Sequence, residues 1–285
     1  MLRDQKYWKV RGGAVSLETP VIVGILNVTP DSFSDGGAYS SAEHAAGRAR
    51  EMFEQGAEIV DVGGESTRPG AAAVSAAEQI RRVVPVIEQI DGGLISIDTT
   101  KTEVAAAAIA AGASIINDVS ACQDDSEMFE LAAKTGAGLV LMHRLVSPVH
   151  DQYSDEYVSK PKYEDVVRDV LDWLLHRAAV AQGNGVDRRS IAIDPGLGFG
   201  KSVEQNMALV RGIEAFVETG FPVFIGASRK SFVGAMHGIE DPKDRDVASA
   251  TMAAEICEVG AQIFRVHDVR THCRVLQSTS SRNGQ

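Results

Sequence analysis

Four side chains that accept hydrogen bonds stand near the ends of separate apolar runs: Asp61, Asp98, Asn117 and Asp194. A single aspartate in such a place is an ordinary cap for the next helix or an acceptor within a turn. Four acceptors, each on a different apolar run, indicate a shared site instead. Carboxylates that cluster in a low-dielectric environment repel one another, and a ligand with several N–H donors would relieve that repulsion. The edge of an aminopyrimidinone ring, as in guanine or a pterin, offers such donors.

A group of basic residues stands at other predicted strand ends, namely Arg68, Lys230, Arg265 and His267. Together with the hydroxyl groups of Ser66 and Thr67, these side chains would form a local anion site in a chain whose net charge is −11.

The residues around Lys230 predict how that site is completed. Ser231 begins the helix that follows the seventh apolar run, where unpaired backbone N–H groups favour an anion. We therefore interpret Lys230 as functional, whereas Arg229 is predicted to be a solvated surface charge.

Eight apolar runs would carry these residues, and a helical pattern follows each run. The runs are Val21–Thr29, Glu58–Gly64, Leu94–Thr99, Ser114–Ser120, Gly138–His143, Ile191–Gly198, Pro222–Ser228 and Gln262–Asp268. A strand, a polar tip and a helix, repeated eight times, predict an α/β fold of the (β/α)8 TIM-barrel type. Active sites in this fold lie at the C-terminal ends of the strands, so residues distant in sequence would meet on one rim.

Eight predicted helices alternate with these strands, and all but the last of them stop at Gly or Asp-Gly. They are Ala42–Gln55, Ala76–Ile90, Lys101–Ala111, Ser126–Thr135, Tyr163–Ala181, Val203–Thr219, Asp244–Val259 and Val269–Leu276. Residues 1–19 predict a short hairpin that plugs the N-terminal mouth of the barrel, and residues 277–285 predict a disordered tail. Three long loops, residues 30–40, 63–73 and 144–162, all follow strands and suit a mobile lid over the functional face.

Length and composition restrict the class of protein. A chain of 285 residues suits one barrel of roughly 250 residues, and no linker divides it, so we expect a single domain over residues 1–285. The acidic balance argues against nucleic acid as the main partner. Three cysteines without CxxC spacing predict neither a disulfide framework nor a zinc site. The absence of a signal-peptide pattern and of a membrane-length apolar run predicts a cytoplasmic protein.

The segment Gly196–Ser202, with the sequence GLGFGKS, looks like a phosphate-binding P-loop. A P-loop requires glycine six residues before the lysine, and Pro195 occupies that position. The dinucleotide-binding pattern also fails, because its third glycine would fall at Lys201. We therefore predict a strand end and a sharp turn here.

Longer motifs occur in the same order as the predicted strands. They are GILNVTPDSFSDGG from Gly24, DVGGESTRPG from Asp61, IDT from Ile97, NDV from Asn117, DPGLGFGK from Asp194, SRK from Ser228 and RVHDV from Arg265. On these motifs, residues 20–276 resemble the dihydropteroate synthase family of pterin-binding barrel enzymes.

The resemblance implies a transferase of folate biosynthesis that condenses 6-hydroxymethyl-7,8-dihydropterin pyrophosphate with p-aminobenzoate. The products would be 7,8-dihydropteroate and pyrophosphate. The implied pterin ligands are Asp61, Asp98, Asn117, Met142, Asp194, Lys230 and Arg265. The implied pyrophosphate ligands are Asn27, Arg68, Arg265 and His267, and Asn27 would also touch Mg²⁺. The implied p-aminobenzoate site consists of Phe33, Ser66, Thr67, Pro69, Phe199 and Ser231. The implied catalytic residues are Asn27, Asp35, Arg68, Lys230, Arg265 and His267.

This chemistry depends on charge stabilisation and alignment. Pyrophosphate leaves readily once cations neutralise it, and the aniline nitrogen is already unprotonated at neutral pH, so attack needs no strong base. The protein must stabilise charge and exclude water while the electrophile exists. The loops at residues 30–40 and 63–73 suit that closure, which would bring Asp35 beside the cationic centre.

One stretch departs from the family pattern. After Leu141-Met142-His143, many members continue with a Met-x-Gly-x-Pro segment, whereas this chain continues from Arg144 through Pro148 to Lys162. The wall that this loop would build, and whether His143 touches a ligand, therefore stay open.

Two alternatives to the synthase remain. A methyltetrahydrofolate methyltransferase domain would share the barrel and the carboxylates, but it has no reason to keep Arg68 and the Ser228–Lys230 run. A catalytically silent, pterin-binding paralogue would lose loop residues first, and both motif-bearing loops are intact here. The resemblance further implies a homodimer formed through outer helices, and inhibition by sulfonamides, which imitate p-aminobenzoate.

Overall fold

A barrel of eight parallel strands forms the centre of the molecule. The computed structural model describes residues 6–28 and 38–280. The barrel strands are β3 Val21–Asn27, β4 Ile59–Gly63, β5 Leu94–Asp98, β6 Ile115–Asp118, β7 Gly138–Met142, β8 Ile191–Asp194, β9 Phe224–Ile225 and β10 Ile263–Val266, preceded by the hairpin strands β1 Tyr7–Val10 and β2 Gly13–Ser16. The barrel strands are buried almost throughout, as parallel strands covered by helices on one side and a packed interior on the other must be.

The strands follow one another around the barrel in chain order, from β3 to β8, with β10 between β9 and β3. A parallel bridge between Ile193 and Val223 closes the ring, and the Ile193 N–H donates to the Pro222 carbonyl at 2.9 Å. The parallel register places Asp98 beside Asn117, and Met142 beside Asp194. The (β/α)8 prediction is confirmed. The strand register brings the polar residues at the C-terminal ends of the strands together at one end of the barrel.

Helices cover the outside of the barrel. They are α1 Ala38–Glu54, α2 Ala76–Ile87, α3 Thr102–Ala111, α4 Glu127–Thr135, α5 Val166–Gly183, α6 Val203–Arg211, α7 Ile213–Val217, α8 Ser231–His237, α9 Asp246–Val259 and α10 Val269–Ser280. None of the helices in the described ranges is both long and apolar enough to cross a membrane.

The predicted and observed helices differ at several of their ends. The predicted helix at Val203–Thr219 is interrupted at Gly212, where a side chain would meet the Val167 methyl groups at 2.9 Å. The final helix, α10, continues to Ser280, so residues 277–280 are helical where the sequence predicted a tail. Beyond the predicted end at Leu276, the Ser278 hydroxyl donates to the Val275 carbonyl, a contact within the helix. Residues 281–285 lie outside the described ranges.

The N-terminal hairpin closes the bottom of the barrel, as its sequence predicts. Trp8 is fully buried in an apolar cluster with Val10, Val15 and residues from inside the barrel. Its indole N–H donates to the Ser190 carbonyl at 2.8 Å. A side chain at Gly138 would stand 2.9 Å from Val10, so the first residue of β7 must be small for the hairpin to fit. The bottom of the barrel is therefore solid, and the site is confined to the opposite end.

Candidate active site

A cavity of about 610 Å³ opens at the C-terminal ends of the strands. The predicted residues that line it are Asn27, Ser66, Thr67, Arg68, Pro69, Asn117, Met142, Asp194, Phe199, Lys230, Ser231, Arg265 and His267. The structure adds Ile25, Val119 and Leu197, which give part of the wall an apolar surface. Phe33 and Asp35 lie outside the described residues.

Asp61 and Asp98 lie behind Arg265. The Arg265 guanidinium donates through Nε to Asp61 at 2.6 Å and through Nη2 to Asp98 at 2.7 Å. The Asp61 oxygen that accepts from Arg265 also accepts from the Asn117 amide at 2.8 Å. Asp61 is fully buried and supports Arg265 and Asn117 from below, and a direct contact between Asp61 and the ligand stays a prediction.

Asp98 keeps an acceptor that the ion pair does not use. Burial raises the pKa of Asp98, and the Arg265 charge opposes that rise. Its Oδ1 atom is buried and accepts no hydrogen bond from the described residues. Buried acceptors are nearly always paired in folded proteins. Asp61 Oδ1 is also buried and unpaired, so both carboxylates can accept from an N–H group that the described residues do not supply.

Asp194 and Lys230 form the second charged part of the cavity wall. The Gly196 N–H donates to Asp194 at 2.7 Å, and burial raises the pKa of Asp194 to about 6. Burial also lowers the pKa of Lys230 to about 8, although the Asp194 charge opposes that shift. The Lys230 ammonium lies 3.9 Å from the centre of the Phe199 ring, a cation–π contact. Gly198 makes this approach possible, because a Cβ atom there would stand 2.9 Å from Lys230 Cδ.

His267 is held by Ser228, a residue whose role sequence analysis did not assign. Ser228 Oγ accepts from the His267 backbone N–H at 3.1 Å and lies 3.0 Å from Nδ1. Burial and the neighbouring arginines lower the pKa of His267 to about 3, so the imidazole is neutral. A neutral ring that accepts the Ser228 proton at Nδ1 presents the Nε2 N–H as a donor for an anion.

Arg229 is a structural residue, and the prediction that it is a solvated surface charge is wrong. Its backbone is left-handed, with a φ of 60°. Its guanidinium makes two 2.7 Å hydrogen bonds to Asp246, and its N–H donates to Ser249 at 3.1 Å. Non-glycine residues adopt this conformation only when their surroundings enforce it. The Arg229–Asp246 pair thus fixes the turn that presents Ser228 and Lys230.

Lys201, the lysine of the P-loop-like segment, makes its contacts inside the protein. The side chain is fully buried, and its ammonium donates to the carbonyl groups of Gly196 at 2.9 Å and Phe199 at 2.8 Å. It also lies 3.1 Å from His143 Nδ1. Lys201 therefore braces the loop between β8 and α6 from inside, and His143 lies behind the cavity wall. Sequence analysis missed this brace because most of its partners are backbone carbonyl groups.

The loop at residues 63–73 is fixed at its base. The Glu65 carboxylate accepts from the Val74 N–H at 2.6 Å, from Gln79 at 2.8 Å and from Lys101 at 3.4 Å. Beyond this anchor, Ser66 to Pro69 line the cavity, and Arg68 is exposed. Arg68 therefore reaches the site from a fixed base. The other predicted lid, residues 30–40, lies mostly outside the described residues.

The site and the barrel agree with one protein family. The profile of the pterin binding enzyme family matches residues 23–267, which is most of the chain. The chain belongs to this family.

Known family members are similar over nearly their whole length. A dihydropteroate synthase of Streptococcus pyogenes serotype M6 is 49% identical over 255 residues, which cover 88% of this chain and 91% of that protein. The structure of the Xanthomonas albilineans dihydropteroate synthase with 4-aminobenzoic acid has a TM-score of 0.89 at 38% identity, covering 98% of this chain and 99% of that one. The Yersinia pestis dihydropteroate synthase in complex with a sulfonamide drug has a TM-score of 0.88 at 36% identity, covering 98% of this chain and 100% of that one.

Proposed function

We propose that this protein condenses 6-hydroxymethyl-7,8-dihydropterin pyrophosphate with p-aminobenzoate to give 7,8-dihydropteroate and pyrophosphate. The observation that carries the proposal is that one cavity holds two kinds of group. Acceptors for a pterin edge, Asn117 and Asp194, share it with the donors Arg68, Arg265 and His267, which suit a pyrophosphate. The reaction is that of the relatives that are named dihydropteroate synthases.

At the pterin end of the cavity, the hydrogen-bond acceptors and donors of the protein complement those of the ligand. Asp194, Asn117 and the unpaired Asp98 oxygen accept N–H groups from the aminopyrimidinone edge. Lys230 donates to the ring carbonyl, and Met142 offers an apolar contact for the ring. Arg265 is held rigid by two carboxylates, so its guanidinium plane supports the ring without rearrangement.

The reaction breaks one bond and forms one. The bond between the pterin methylene carbon and the pyrophosphate oxygen breaks, and the oxygen keeps the electron pair. The aniline nitrogen of p-aminobenzoate then bonds to the methylene carbon and loses a proton to solvent. Arg68, Arg265 and the His267 N–H donate to the departing pyrophosphate, which is the charge stabilisation that the step requires.

Mg²⁺ fits this site only as an ion shared with the substrate. Residues 6–28 and 38–280 contain no group of three or more His, Cys, Asp or Glu side chains that could hold a metal. Asn27 ends β3 at the cavity, and its amide oxygen can provide one ligand, with the pyrophosphate and water providing the others. The bound ion would neutralise charge on the leaving pyrophosphate.

The proposal also includes the domain organisation, the oligomeric state and the cellular compartment of the enzyme. Residues 1–285 form one pterin-binding domain, which acts as a homodimer in the cytoplasm. All three cysteines, Cys122, Cys257 and Cys273, are free thiols, in keeping with a reducing compartment.

The test is pyrophosphate release from the dihydropterin pyrophosphate in the presence of Mg²⁺, with and without p-aminobenzoate, while dihydropteroate is followed by chromatography. Dihydropteroate that forms only with p-aminobenzoate is the expected result. Pterin binding without dihydropteroate would instead identify a silent paralogue, and methyl transfer from a methylated folate would identify the methyltransferase.

A further inference from the structure

The loop after β7, which departs from the family pattern, is docked against the cavity. Its residues 151–157, here called the docked segment, are fixed at two points. The Asp151 carboxylate is buried and accepts from the Gly200 N–H at 2.9 Å and from the Tyr157 hydroxyl at 2.6 Å. The Asn206 amide donates to the buried Ser154 hydroxyl at 3.0 Å.

The docked segment reaches a residue of the proposed p-aminobenzoate site. The Ser154 backbone N–H donates to Ser231 Oγ at 3.0 Å, and Tyr153 lines the same cavity as Ser231. Asn206 links the contact to the loop between β8 and α6, because its side-chain oxygen accepts from the Gly198 N–H at 2.7 Å. Ser154 and Ser231 are 77 residues apart in the chain.

This hydrogen bond sets the direction of the Ser231 proton. A serine hydroxyl has one proton to donate and two lone pairs that accept. Because one lone pair of Ser231 is directed at the Ser154 N–H, the hydroxyl proton points elsewhere and is available to an anion. A hydrogen bond in which one partner is ionised is about twice as strong as a neutral one.

We infer that the docked segment is a specificity element for the arylamine substrate: Ser154 holds the Ser231 hydroxyl as a donor to the carboxylate of p-aminobenzoate. This inference rests on the proposed function and adds a positioning residue to it. The docked segment acts through Ser231 and does not contact the reacting atoms.

The experiment weakens the docked segment without removing its backbone. Ser154→Ala deletes the hydroxyl that accepts from Asn206, and Tyr157→Phe deletes the hydroxyl that donates to Asp151 within the segment. The two substitutions are made singly and together. Steady-state KM and kcat are measured for p-aminobenzoate and for 4-aminobenzamide, which is neutral at the same position. The same changes are then made in a Ser231→Ala background. Val158→Ser is the matched control, because Val158 follows the segment directly and its side chain is fully exposed.

The double variant is expected to raise the KM for p-aminobenzoate about threefold to tenfold, as expected for a weakened hydrogen bond to a charged group. The KM for 4-aminobenzamide, the KM for the pterin substrate and kcat stay within about twofold, since only the carboxylate contact changes. In the Ser231→Ala background the effect disappears, and Val158→Ser has none.

An unchanged KM for p-aminobenzoate, or a rise that persists without the Ser231 hydroxyl, would overturn the inference while leaving the proposed function intact. A rise shared equally by both arylamines would do the same. If the protein without substitutions forms no dihydropteroate, the proposed function is overturned, and the inference with it.

Discussion

Arg68 and Arg265 both bring a guanidinium group to the cavity, but in different surroundings. Arg265 is fixed by Asp61 and Asp98, whereas Arg68 is exposed on a loop. In the proposed reaction, Arg265 is therefore in place before the substrate binds, and Arg68 would gain its main contact when charge develops on the leaving pyrophosphate. Interactions that are made mainly in the transition state affect turnover more than binding.

We therefore expect Arg68→Ala to lower kcat about a hundredfold, while the Kd for 6-hydroxymethyl-7,8-dihydropterin changes less than about threefold. Steady-state kinetics and a fluorescence titration of the pterin measure the two quantities. Arg68→Lys is the control, because it keeps the charge and should retain more turnover. Equal losses of binding and turnover would contradict this role.

The pKa shifts of Asp194 and Lys230 predict a bell-shaped pH dependence of pterin binding. Below about pH 6, Asp194 becomes protonated and can no longer accept from two ligand N–H groups. Above about pH 8, Lys230 loses the proton that it donates to the ring carbonyl. Titration with 6-hydroxymethyl-7,8-dihydropterin measures the acidic and alkaline limbs of this curve. Because this ligand lacks the pyrophosphate, ionisation of the leaving group does not contribute to the measurement. Lys230→Arg should move the alkaline limb upward, and a flat profile from about pH 5 to 9 would rule out both assignments.

The residues proposed for p-aminobenzoate also predict inhibition by sulfonamides. Thr67, Pro69, Phe199 and Ser231 line one cavity, as a compound that imitates p-aminobenzoate requires. Inhibition should be competitive with p-aminobenzoate, and Ser231→Ala should weaken the substrate and the inhibitor together. An inhibition assay that finds no effect at high sulfonamide concentration would refute the prediction.

At the scale of elements, the hairpin of β1 and β2 stabilises the barrel from below. Trp8 is fully buried and donates to the Ser190 carbonyl, whereas Tyr7 next to it is 54% exposed. Removal of a buried tryptophan leaves a cavity and costs about 3–5 kcal/mol. Trp8→Ala should therefore lower the free energy of unfolding in urea by that amount, and Tyr7→Ala by less than about 0.5 kcal/mol. Equal effects of the two substitutions would mean that the hairpin is not part of the cooperative core.

At the scale of the whole molecule, the site exists only in the closed barrel. Its residues come from strands as far apart in sequence as β3 and β10, which pair directly. Unfolding therefore removes the site completely, and a bound ligand stabilises the fold by mass action. At about 100 times its Kd, the pterin should add about 2.7 kcal/mol, which raises Tm by several degrees. Differential scanning calorimetry measures the shift, and Asp194→Asn should reduce it; an equal shift in both proteins would place the pterin elsewhere.

Sequence patterns alone predict the architecture and thirteen of the residues that line the cavity. Buried parallel strands give continuous apolar runs, and glycine ends the helices, so both signals are local and can be read along the chain. Because all strands of such a barrel run in one direction, their polar tips must meet at one rim. Asn117, Asp194, Lys230 and Arg265 could therefore be assigned to one site from the sequence.

Which of these side chains contact one another depends on how the elements pack. Asp61 and Arg265 are 204 residues apart, and barrel closure, not local pattern, places them in contact. The roles of Arg229 and Ser154 were missed for the same reason, because Asp246 and Ser231 come near them only after folding. Lys201 was missed although Gly196 and Phe199 are close to it in sequence, because no residue pattern marks a hydrogen bond to a backbone carbonyl group. Local periodicity specifies which face of a strand or helix is buried, whereas the partner of a polar side chain depends on how separate elements pack together.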